Sequence, residues 1–324
     1  MSEIKPIKIE RNINEHVYKI ICLENNDLLI LLHNYIKCLK SPNYLIENSL
    51  DITFNNSDIN SICLWKNNKI IAKTPDNFYF IELFLNNSNY RILSILNKYT
   101  NIVLRYQKML PLNDYSKLLL NVSNSFILLE EPQPHLFQIQ KIFFYKLGFN
   151  SFFQVRKNEI VCNSSAHKKV YFIDIHKGKF LSVINNIKVY IEDIEPFCFI
   201  NKKIIAMGGD LRDGIYFFEI NKRELIYHYA EDWRGYHTLL NIEKNKFLGE
   251  SYCGRCYGES FDEEEELYCT IFFEYDENKN IIKPYKYSED RIYDLKRSNF
   301  VRFNSNDIIA YASNKSIYIE NLLN

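Results

Sequence analysis

Short apolar runs recur along the chain, each introduced by one charged residue. Asp27 precedes Leu28-Leu29-Ile30-Leu31, Lys69 precedes Ile70-Ile71-Ala72, Lys117 precedes Leu118-Leu119-Leu120, and Glu159 precedes Ile160-Val161-Cys162. The series continues with Lys203 before Ile204-Ile205-Ala206-Met207, Lys246 before Phe247-Leu248-Gly249, and Asp307 before Ile308-Ile309-Ala310-Tyr311. These starts lie 42, 48, 42, 44, 43 and 61 residues apart. Behind each run from the second onward comes an aromatic and aliphatic run that ends on an acid: Glu82, Glu130, Asp174, Glu219, Glu274 and Glu320, spaced by 48, 44, 45, 55 and 46 residues. Two markers with one period define a repeat, and repeats of this length are the mark of solenoids and propellers. The runs are too short for helices and no long window carries a 3.6-residue period, so strands are expected. Turn signals such as Asn67-Asn68, His176-Lys177-Gly178 and Asp276-Glu277-Asn278 bound them, leaving room for four strands per repeat.

Four-stranded units with two apolar faces must be sandwiched by neighbours, which predicts an all-β fold: a seven-bladed β-propeller forming a single domain over residues 1–324. The predicted blades are 16–55, 56–97, 98–146, 147–187, 188–232, 233–289 and 290 to the end. The last repeat holds only three strand runs, whereas residues 4–11, with Ile4, Ile7 and Ile9, precede the first repeat and have no blade of their own. They are expected to form a strand that closes the last blade and removes an open edge.

The strand-ending acids stand where WD-repeat propellers often carry a Trp-Asp pair, and over nearly the whole chain the pattern resembles a divergent WD-repeat-like propeller. No Trp-Asp or Gly-His dipeptide occurs, and the first repeat reads Tyr35-Ile36-Lys37-Cys38-Leu39-Lys40 with no acid. The resemblance implies a binding scaffold and carries over no functional residues.

Composition narrows the function. Forty Lys and Arg balance forty Asp and Glu, so no net field draws the chain to nucleic acid or to an anionic membrane. No stretch approaches the about 20 apolar residues of a membrane span, and the first residues lack a secretory signal. An intracellular, cytoplasmic protein is expected, a monomeric propeller within a complex of protein partners, with no cofactor. Cysteines sit singly in apolar runs (Cys22, Cys38, Cys63, Cys162, Cys198, Cys269) and read as reduced, buried residues.

Candidate chemistry concentrates late in the chain. Cys253-Gly254-Arg255-Cys256 has zinc-ligand spacing, but a zinc site needs four ligands and there is no second such pair; two loop cysteines are the reading adopted, and no metal is assigned. Asp262-Glu263-Glu264-Glu265-Glu266 lengthens the sixth repeat and reads as a solvated loop able to meet a partner. Trp233, Arg234 and Tyr236, at a repeat junction, are residue types enriched at binding hot spots, although packing between blades would also use them. Gly208-Gly209-Asp210-Leu211-Arg212-Asp213-Gly214 lacks the Gly-Lys-Ser/Thr ending of a phosphate loop and is expected to be a hairpin turn. The expected function is therefore a non-catalytic interaction scaffold. Its rivals are a propeller enzyme with acids such as Asp210, Asp213 or Glu231 at a central channel, and a peripheral phosphoinositide binder.

Overall fold

The computed structural model describes residues 8–46, 49–54, 58–59, 61–66, 69–75, 77–84, 89–97, 109–112, 117–122, 125–133, 136–145, 147–188, 196–209, 213–230, 234–253, 267–279, 281–287, 292–293, 301–303, 308–313 and 315–321. Among them the regular elements are strands, gathered into seven antiparallel sheets of four strands, the sixth with a short fifth. The chain divides into two compact units. One comprises residues 1–146 and 297–324 and holds the first three sheets and the seventh; the other, residues 147–296, holds the fourth, fifth and sixth.

In every sheet the first marker run is the second strand, and in the second to seventh sheets the acid-ending run is the third. The second strands include Leu28–Leu31, Lys69–Lys73, Lys117–Val122, Glu159–Ser164, Ile204–Gly208, Lys246–Cys253 and Ile308–Ser313. They read as unbroken apolar runs because both of their faces are covered. In the first sheet Leu29 and Leu31 pack with the second sheet's Ile62, Ile70 and Ala72, whereas Leu28 and Ile30 pack with the seventh sheet's Ala310, Ile317 and Ile319. The same split occurs in the other unit: Ile204 and Ala206 face Phe247 and Phe273 of the sixth sheet, and Ile205 and Met207 face Val161 and Phe172 of the fourth.

The outer strands behave differently. In five sheets a bulge interrupts the pairing of third with fourth strand, between Phe80 and Ile81, Leu128 and Leu129, Phe172 and Ile173, Phe217 and Phe218, and Phe272 and Phe273. The extra residue lies on the fourth strand each time, which bends the exposed edge.

The seventh sheet closes as expected from the sequence. Lys8–Asn12 pairs antiparallel with Ser316–Asn321, from Lys8 opposite Glu320 to Asn12 opposite Ser316, while residues 4–7 of the expected strand lie outside the described residues. Arg11 ties this strand to the first sheet, its Nε donating to the Tyr44 carbonyl at 3.0 Å and its NH2 group to that of Asn43 at 2.6 Å.

The charged residues that frame the markers meet across the ladder. Lys69 stands opposite Glu82 and Lys117 opposite Glu130, with ammonium–carboxylate distances of 3.9 and 3.7 Å. In the fourth sheet two acids, Glu159 and Asp174, are opposite each other. Asp174 instead caps the following turn, accepting from the His176 and Lys177 N–H groups, and Glu159 is gripped by Arg223 of the fifth sheet at 2.8 and 3.2 Å. The first repeat lacks the acid because the signs are exchanged: Lys40 donates to Asp27 at 3.0 Å, and the Ser41 N–H donates to the same carboxylate at 2.9 Å.

Cys38, Cys63, Cys162 and Cys198 are buried thiols, and Cys22 is a partly buried one. Loss of hydration pushes the Cys38 thiol up to about 11 from its ordinary 9.0, against the pull of Lys40. No helix among the described residues is long and apolar enough to cross a membrane.

Two outcomes are expected. Asp27→Lys sets two ammonium groups together where the native side chain is 4% exposed, and should lower stability by about 2–4 kcal/mol in urea titration; adding Lys40→Glu should restore most of it, and failure to recover would discount the pair. Because the folded Cys38 binds its proton more tightly than the unfolded thiol, its contribution is complete below pH 9 and declines as pH rises toward 11. Cys38→Ala should accordingly flatten part of the stability loss over that window.

Candidate partner-binding site

The most elaborated edge among the described residues is one end of the fifth and sixth sheets, both within residues 147–296. It begins at the glycine-rich turn between Ile204–Gly208 and Ile215–Glu219 of the fifth sheet. Residues 210–212 of that turn lie outside the described residues; the flanks form a hairpin closed by the Gly209 N–H donating to the Gly214 carbonyl at 2.7 Å. The first strand of the sixth sheet, Arg234–Glu243, crosses against these glycines. Tyr236 N–H donates to the Gly209 carbonyl at 3.0 Å, and Gly235 bridges Gly214 in parallel. A Cβ on Gly208 would stand 1.9 Å from the Tyr236 carbonyl oxygen, and one on Gly214, whose φ is +63°, would stand 1.9 Å from that of Tyr229. Glycine is required here by close backbone approach.

The sixth sheet is then lengthened beyond its neighbours. Lys246–Cys253 and Leu267–Asp276 pair without a shift over eight positions, from Lys246 opposite Glu274 to Cys253 opposite Leu267, whereas the equivalent hairpin of the fourth sheet pairs over six. Two further pairs carry the ladder roughly 7 Å outward. Arg234 lies opposite Cys253 at this tip, and the short strand Ile292–Tyr293 pairs with Leu267 and Tyr268. Four strands thus end side by side at Arg234, Cys253, Leu267 and Tyr293. In sequence, residues 231–233 precede Arg234, and residues 254–266 connect Cys253 to Leu267.

Of the residues singled out from the sequence, this register brings the backbones of Arg234 and Cys253 together. Trp233, Cys256, Asp262, Glu263, Glu264, Glu265 and Glu266 lie outside the described residues, but the two segments that contain them, 231–233 and 254–266, both join the same tip. Tyr236 is placed in the core: it is 0% exposed, lies over Gly249 and packs edge-on to Phe273 at 5.6 Å. Packing between blades is the role that its residue type allows beside partner contact.

A polar group flanks the same end of the fifth sheet. Asp213, nearly buried, pairs through its carboxylate with Lys188 at 3.3 Å. Its carbonyl meets His228 Nε2, and the His228 ring stacks on Tyr216 at 4.2 Å with the planes 6° apart. Of the three acids named as catalytic candidates, Asp213 is engaged in this ion pair, and Asp210 and Glu231 lie outside the described residues. This cluster and the lengthened ladder were not anticipated. One signal did point to the region: seven of the nine glycines fall between residues 208 and 258.

Solved structures cover almost the whole chain. A chain in a crystal structure of the mitotic checkpoint complex matches with a TM-score of 0.71 at 8% identity, covering 98% of this chain and 91% of that one. The WD40 domain of Neurospora crassa Pan2 matches with a TM-score of 0.68 at 9% identity over 100% and 98% of the two chains. The β-propeller domain of Myceliophteria thermophila Cps50 (Swd1) gives 0.66 at 7% identity over 97% and 99%. The fold is thus a seven-bladed β-propeller of the WD40 type, its last blade completed by the N-terminal strand. No protein-family model matches the chain, and no curated protein matches it in sequence.

Gly208→Ala should shift the start of Arg234–Glu243 and cost at least about 3 kcal/mol, since a backbone oxygen has no rotamer by which to yield. Gly148→Ala, with nothing within 4 Å of the new methyl, should change stability by less than about 0.5 kcal/mol. Thermal unfolding of both variants checks this; equal effects would show that the close approach is not a constraint.

Proposed function

We propose that the chain is a non-catalytic protein-interaction scaffold that holds a partner at the lengthened tip of the sixth blade. The observation supporting this reading is the register that sets Arg234 opposite Cys253, so that Trp233 and the acidic run 262–266 belong to segments joined to one edge. An indole, a guanidinium and a row of carboxylates combine a desolvating anchor with long-range attraction for a basic partner. The sheets supply a rigid frame, because both faces of their second strands are buried. The WD40-type fold is consistent with such a role, and fold by itself does not assign it.

The test is capture from the native cell by the tagged full chain, followed by mass spectrometry, with Trp233→Ala, Arg234→Ala and a variant carrying Ser at 262–266. The expected result is a stoichiometric partner whose recovery falls at least about tenfold in the variants at unchanged melting temperature, a loss typical of hot-spot removal. Equal recovery by all variants would remove the contact from this edge.

A further inference from the structure

A second surface, on the fourth sheet, is built for a different occupant. Among the described residues its outer strand, Lys179–Asn185, is a sheet edge, paired on one side only with Lys169–Asp174. The bulge between Phe172 and Ile173 leaves Leu181 as the unpaired extra residue. Alternation therefore fails, and Phe180 and Leu181 are exposed in succession, at 41% and 40%, with Val183 at 41% beside them. The other strands with an exposed large apolar side chain each present one among the described residues. Ser182 and Ile184 take the opposite face: Ser182 Oγ donates to the Arg223 carbonyl at 3.0 Å, and Ile184 packs on the core shared with the fifth sheet.

Both ends of this apolar strip are basic. At one end stand Lys177 and Lys179, both exposed, beside Asp174, whose carboxylate is engaged with turn N–H groups. At the other end Lys169 lies opposite Asn185, Lys168 receives the Ile187 N–H on its carbonyl at 2.9 Å, and Lys188 follows, held to Asp213. Glu224 of the neighbouring strand is satisfied by Lys222 at 3.4 Å. Edge strands are commonly blunted by a central lysine; here the lysines stand only at the ends and the centre is apolar.

We infer that this edge binds an extended peptide with a central apolar stretch and acidic residues at both ends, laid along Lys179–Asn185. Seven residues span roughly 20 Å, so a peptide of similar length places its apolar side chains over Phe180, Leu181 and Val183 and its carboxylates at the two lysine groups. Charge complementarity selects the occupant, and the unpaired edge offers it main-chain hydrogen bonds.

The experiment uses the full chain and two peptide arrays, in which four varied apolar residues are flanked by paired Asp/Glu or by paired Lys. Saturable capture by the acidic array is expected, weakening at least fivefold between 50 and 500 mM salt, on the order of the loss produced by releasing one or two ion pairs. The double variant Phe180→Ser with Val183→Ser should lose at least tenfold with an unchanged melting temperature. Lys177→Glu with Lys179→Glu, which leaves the apolar strip intact, should also lose capture. Equal capture by both arrays, or equal capture by the variants, overturns the inference. So does self-association of the chain in sedimentation equilibrium that Val183→Ser abolishes, which would assign the edge to a second copy.

Discussion

Everything in this molecule depends on burying both faces of narrow sheets. A strand such as Leu28–Leu31 cannot satisfy its side chains within its own sheet, because successive residues point to opposite sides. Each unit of four strands is stable only when neighbours cover it. The repeat in the sequence is the direct trace of that requirement, and so is the tolerance for loops of very different length between the same strands.

This constraint also explains which parts of the fold could be read in advance. Second and third strands were legible because burial on both sides leaves uninterrupted apolar runs. Outer strands were not, since they alternate imperfectly around a bulge and mix charged, aliphatic and aromatic residues, as in Glu224–Tyr229. The missing acid of the first repeat looked like an exception. Its cause, the exchange of Asp27 and Lys40, needs the register that sets Leu28 opposite Leu39. Tyr236 shows the converse: its residue type suits a binding surface as well as a core, and only the crossing of its strand over Gly209 and Gly249 decides. The alignment of Arg234 with Cys253 was likewise hidden, because it follows from an eight-position ladder and not from any local motif.

The two surfaces use opposite chemistry. In the two proposals, segments joined to the tip of the sixth blade contribute an acidic run, a Trp and an Arg, and the outer strand of the fourth sheet joins an apolar centre to lysines. A chain without net charge thus carries local fields of both signs, set apart on different sheets. Under these proposals two ligands of unlike charge would be selected independently on separate sheets.

The pairing of Lys8–Asn12 with Ser316–Asn321 has a further consequence during synthesis. Tyr318 Oη donates to the Glu10 carboxylate at 3.0 Å across 308 positions of the chain. The strand Lys8–Asn12 must therefore wait, with its hydrogen-bonding groups unpaired, until Ser316–Asn321 has been made. The intervening sheets can form in the order they emerge, but this contact spans 308 positions, and loop-closure entropy makes such contacts slow. Nascent chains held in that interval expose a strand edge from the first segment and an incomplete sheet at the other end, the state in which chaperone protection matters most.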